Sequence, residues 1–133
     1  METPIVLAFL LCDHVWQNPD DGTHSILNTF SGLGGLRFPL TRRSVTLFFV
    51  LTNGRGSQKL RIELVDVDET RKPIFVAEAD LHFVDPRQVV EQAIAFKNVT
   101  FPQPGDYRLK LFVGREFLME RRLEVAQAGE LGY

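Results

Sequence analysis

Short apolar stretches separated by turn residues recur along the chain, and most alternate with a period of two. The clearest is residues 73–84, where Phe75, Ala77, Ala79, Leu81 and Phe83 alternate with Val76, Glu78, Asp80 and His82. A period of two places each set on one face of a β-strand. Residues 58–67 set Leu60, Ile62 and Leu64 against Arg61 and Glu63 in the same way. Residues 43–52 carry Val45, Leu47, Phe49 and Leu51 on one face but also Phe48 and Val50 on the other. Apolar character on both faces marks a strand that is central or covered by a partner.

The pattern predicts further strands over 4–16, 24–31, 106–113 and 116–125. Asn18-Pro19-Asp20-Asp21-Gly22 separates the first two, with Pro, Asp and Gly each suited to a tight turn. Gly114-Arg115 is a two-residue hairpin loop of the kind that places Gly first. Residues 32–42 hold Gly32, Gly34, Gly35 and Pro39 and read as a loop or broken crossover. Over 89–101, Val89, Val90, Ala93 and Ile94 fit a helical face as well as a strand, so at most a short helical turn near 86–93, with a strand at 94–100, is expected.

Seven to eight short strands with turns between them specify an all-β, antiparallel, immunoglobulin-like sandwich. Pro104-Gly105-Asp106-Tyr107-Arg108-Leu109 has the form of a tyrosine corner, in which a Tyr near the start of a late strand bonds back to the backbone upstream. Leu109 then stands where antibody domains place a cysteine. The expected organisation is one domain over 1–126 and a tail over 127–133.

The chain has 133 residues, enough for one hydrophobic core, and its 11 Phe carry much of the aromatic content. Lys plus Arg is 15 and Asp plus Glu is 17, a net charge of −2 that gives no footprint for nucleic acid or an anionic membrane. Cys12 is the only cysteine, so no internal disulfide forms, and a reducing, cytoplasmic setting is expected. The run Ile5 to Cys12 lacks a positive flank, a membrane-spanning length and a small-residue cleavage site, and so reads as a buried strand.

Leu10-Leu11-Cys12-Asp13, Pro19-Asp20 with Gly22, Ile26-Leu27-Asn28 with Phe30, Phe38-Pro39 and the later Pro-Gly-Asp-Tyr turn together resemble a family of uncharacterised bacterial proteins, a domain of unknown function. The resemblance implies a compact β-sandwich and supplies no activity or catalytic residues.

Several residues invite chemistry. Cys12 and His14 share a strand face with no carboxylate to orient them, since Asp13 points away, so a buried structural cysteine is expected rather than a Cys/His hydrolase. His14, His24 and His82 have no metal-ligand spacing, and no metal or cofactor is expected. Asp66, Asp68 and Glu69, with Trp16 as a stacking surface, form the candidate ligand site of a small-molecule, carbohydrate or calcium-assisted binder. Arg71 and Lys72 follow at once and suit a solvated turn. The glycines at 32, 34 and 35 lack the Lys-Ser/Thr of a phosphate loop. Arg37, Arg42 and Arg43, and separately Arg121 and Arg122, make small basic groups without interleaved aromatics. If strands 43–52 and 106–113 share a sheet, Phe48, Val50, Phe112 and Leu118 form one outward apolar patch. The expected function is therefore a non-catalytic binding or protein-interaction module, engaging a protein partner or a second copy through a sheet face.

Overall fold

The computed structural model describes residues 3–67 and 72–127. These residues form nine strands: β1 (Ile5–Gln17), β2 (His24–Thr29), β3 (Gly32–Gly35), β4 (Leu40–Thr52), β5 (Gly56–Asp66), β6 (Phe75–Phe83), β7 (Val90–Phe101), β8 (Gly105–Val113) and β9 (Glu116–Gln127). They make two sheets, ordered β2-β1-β4-β7 and β3-β9-β8-β5-β6. The all-β expectation holds, with nine strands rather than seven or eight. The stretch at 32–35 is a strand rather than a loop, because it pairs with the end of β9. That pair is parallel, whereas every other pair is antiparallel.

No helical turn precedes β7 among the described residues. Val90 already pairs with Leu51, and the alternation of Gln92, Ile94 and Phe96 with exposed Glu91, Ala93 and Ala95 follows the strand period. A four-residue apolar coincidence gives way to an eleven-pair ladder with β4. β9 runs to Gln127, while residues 128–133 of the expected tail lie outside the described residues.

The core lies between the inner faces. Val45, Leu47, Phe49 and Leu51 of β4 meet Leu60, Ile62 and Leu64 of β5 and Tyr107, Leu109, Leu111 and Val113 of β8, all buried in one cluster. Each such side chain contributes about 1.5–3 kcal/mol by leaving water. Tyr107 Oη donates to the Gln103 carbonyl at 2.6 Å, and its ring meets Phe101 edge-on with centroids 5.1 Å apart. This is the bond expected of the tyrosine-corner sequence, and buried Leu109 packs beside it.

The two open sides of the sandwich close differently. Phe75 of β6 stacks on Phe96 of β7 with centroids 3.9 Å apart. On the other side Arg121 points inward from β9 and donates through Nη1 to the Phe9 carbonyl of β1 at 2.8 Å. Its neighbour Arg122 points outward and pairs with Asp106 at 2.6 Å, so these adjacent cations serve opposite faces.

Candidate functional site

The outer face of the four-stranded sheet is covered by the protein's own first hairpin. Phe48 pairs with Leu10 on β1, and His24 pairs with Gln17 at the far end of the same strand. In a flat sheet these rows lie roughly 23 Å apart, at about 3.3 Å per residue. Yet the His24 ring lies 5.2 Å from the Phe48 ring, and its Nδ1 lies 3.0 Å from Glu91 Oε2 on β7. The β1–β2 hairpin therefore folds back across the sheet.

The fold-back occurs at Asp13 and Asn28. Asn28 takes a left-handed conformation with φ of 56°, which asparagine tolerates better than most residues. The Asp13 carbonyl accepts hydrogen bonds from the outward hydroxyls of Ser44 and Thr46, each at 3.1 Å. The Asp13 carboxylate accepts from Asn28 Nδ2 at 3.1 Å and from the Arg42 guanidinium. Arg42 also lies over the Phe30 ring, 4.5 Å from its centroid. Desolvation opposes ionisation of Asp13, but the bonds from Arg42 and Asn28 outweigh it and hold its carboxyl below the ordinary value.

Cys12 sits beneath this bend, fully buried, with its thiol toward the Thr46 carbonyl at 3.5 Å. Burial first, and then the Asp13 charge, push its thiol up despite a backbone bond at His14. A raised thiol in a closed site suits packing rather than nucleophilic attack.

The hairpin has two faces. Val15, Gln17, His24 and Ile26 pair on the face that carries His24 onto the sheet, while His14, Trp16, Ser25 and Leu27 pair on the face turned to solvent. Trp16 and Leu27 are diagonal neighbours there and remain half-exposed, at 49% and 50%. His14 and His24 therefore point to opposite sides, and His82 bonds Ser57 on the other sheet, so the three histidines do not converge.

The anticipated patch of Phe48, Val50, Phe112 and Leu118 is divided. β4 and β8 belong to different sheets, so their outer faces look in opposite directions. Phe48 and Val50 do face away from the core but are only 6% and 8% exposed beneath the hairpin. Phe112 packs edge-on against Phe117 at 5.7 Å on the other sheet, and Leu118, at the register shift of β9, packs against the core. No local signal in the sequence announces the fold-back that covers Phe48 and Val50. Trp16 and Asp66 also lie on different layers, and Asp68 and Glu69 lie outside the described residues. Among the described residues, no group of three or more His, Cys, Asp or Glu could hold a metal ion.

A cavity of about 380 Å³ opens at the end of the sandwich where β5 begins and β8 turns into β9. Pro4, Val113 and Gly114 form apolar walls, and Lys59 and Arg115 add cations. Gln58, on the inward-facing alternation of β5, is 9% exposed, and its Oε1 has no hydrogen-bond partner. Sequence reading missed this site, because one Gln in place of an apolar inward residue is its only local mark.

A model of a family of unknown function, DUF6941, matches residues 7–126. The chain belongs to the DUF6941 family. The match spans β2 to β8 in full and nearly all of β1 and β9, including both strands of the folded hairpin. The family description assigns no activity to DUF6941. A search of curated proteins gives no match. No helix among the described residues is long and apolar enough to cross a membrane.

Proposed function

We propose that this DUF6941 protein is a non-catalytic protein-interaction module of a reducing compartment, with the solvent face of its folded hairpin as the contact surface. The observation that carries this reading is the half-exposed pair Trp16 and Leu27 on a hairpin fixed at both ends. Asp13 and Arg42 hold its base, and His24 and Glu91 hold its far end. A Trp on a fixed surface loses little entropy on binding, and this type of residue dominates interface energetics. The buried, raised thiol of Cys12 supports the non-catalytic part.

Affinity capture from the source cells tests it, comparing wild type with a Trp16→Ala, Leu27→Ser variant of matched melting temperature. A protein retained by the first and lost by the second supports the reading. Identical retention by both overturns it.

The end cavity favours a second reading, a small-ligand binder. A buried carbonyl without a partner costs about 1–3 kcal/mol, and a ligand N–H or O–H would relieve that cost. Ligand-observed NMR with a library of small amides and amino acids tests it. Hits that survive Gln58→Leu unchanged would remove the cavity from consideration.

A further inference from the structure

We propose that two copies of this chain associate through β7, antiparallel and centred on Ile94, to join their four-stranded sheets into one of eight strands. β7 is the last strand of its sheet, and no described strand pairs with its open side. Alternate residues of an antiparallel edge strand direct N–H and C=O groups away from their one neighbour, which makes the edge a template for another strand. Soluble proteins blunt such edges with proline, bulges or charge. β7 contains no proline, and its left-handed residue, Asn98 with φ of 56°, comes only near its end.

The remaining guard is charge, and its arrangement is self-complementary. The exposed face of Glu91 to Lys97 reads Glu91, Ala93, Ala95, Lys97. With the two-fold axis at Ile94, Glu91 faces the partner's Lys97, Ala93 faces the partner's Ala95, and both pairings occur twice. Moving the axis to Ala93 or Ala95 sets each charge opposite an alanine or a valine. A parallel arrangement in register sets Glu91 against Glu91. Among these arrangements one register alone satisfies both charges, and it is the two-fold antiparallel one that closes without leaving a growing edge.

The side chains permit this approach. Ala93 and Ala95 are small, and the Glu91 contact with His24 uses Oε2, which leaves Oε1 for the incoming lysine. On the inner side, the partner strand would cover the half-buried Ile94 and Phe96 at the rim of the core. A seven-residue strand pairing buries less than the ~1,600 Å² of a standard interface, so a dissociation constant on the order of micromolar is expected.

Sedimentation velocity over about 1–300 µM on wild type, Lys97→Glu, Glu91→Lys and an equimolar mixture of the two variants tests the proposal. Melting temperatures of both variants confirm that they fold, since Glu91→Lys also removes the partner of His24. The expected result is a concentration-dependent wild-type dimer, at least tenfold weaker self-association in each variant, and recovery of the dimer in the mixture. Like charges meet at both contacts when either variant pairs with itself. The mixture instead sets the two lysines of one chain against the two glutamates of the other. A wild-type monomer throughout, a dimer indifferent to Lys97→Glu, or a mixture that stays monomeric would each overturn it. The surface differs from the Trp16–Leu27 face, so the Trp16→Ala, Leu27→Ser variant is expected to dimerise like wild type.

Discussion

Replacing Phe48 by alanine separates a covered sheet face from an open one. Phe48 points away from the core yet is only 6% exposed, because the β1–β2 hairpin lies over it. Burying a Phe is worth about 1.5–3 kcal/mol by transfer from water, and the cavity left by alanine adds to the cost. The hairpin is joined to the sheet by one strand and can settle partly into the space, so a cost near 3 kcal/mol is expected, at the low end for Phe→Ala in cores. Unfolding entropy of about 2.1 cal/mol/K per residue, over 133 residues, converts this to a fall in melting temperature of about 10 °C. Differential scanning calorimetry on wild type and variant reads it directly. Phe112→Ala serves as the comparison, because Phe112 is half-buried on the opposite face and should cost less. If Phe48→Ala lowers the melting temperature by under about 2 °C, as substitution on an open surface does, the hairpin does not seat on the sheet and the reasoning fails.

Other consequences are open to measurement. Tyr107→Phe deletes the hydroxyl that reaches the Gln103 carbonyl and should cost about 0.5–1.5 kcal/mol in chemical denaturation; no change would deny the corner its structural role. A Cβ on Gly54 would overlap carbons of the buried Phe83 ring, so Gly54→Ala should destabilise by about 1–3 kcal/mol, and a stability equal to wild type would show that the ring yields freely. The carboxyl of Asp13 is held below its ordinary value, so its stabilising contribution is present above about pH 4 and is lost as pH falls through the folded pKa. Melting curves between about pH 6 and pH 2 should fall less steeply for Asp13→Asn than for wild type; parallel curves would remove Asp13 from the acid response.

The strands were legible in the sequence wherever one face meets the core. The alternation over 58–67 and 73–84 reports burial directly, and Pro104-Gly105-Asp106-Tyr107 specifies a local bend whose hydrogen bond spans four residues. β3 was not legible, because its four residues hold three glycines and its partner lies at the other end of the chain. The doubled apolar character of β4 signalled a strand that is central or covered by a partner, and β4 is central, between β1 and β7. What covers it was hidden, because the fold-back rests on contacts between residues far apart in sequence: Asp13 with Arg42 and His24 with Glu91. Cys12 followed the same logic: its burial was expected from its apolar strand, but the bend above it was not.

The parallel pairing of β3 with β9 sets an order on how the molecule can be completed during synthesis. Gly32 meets Glu124 and Gly35 meets Gln127, so this edge strand waits for a partner about 90 residues further along the chain. β5, β6 and β8 can pair before then, since all three precede β9. Contacts of such long sequence separation slow folding. While they are awaited, the inward side of Leu33 has no Val125 beside it. A nascent chain that stalls or terminates before Glu124 thus presents an unpaired glycine-rich edge and an open corner of the core, a form that quality-control proteases recognise by its exposed apolar surface.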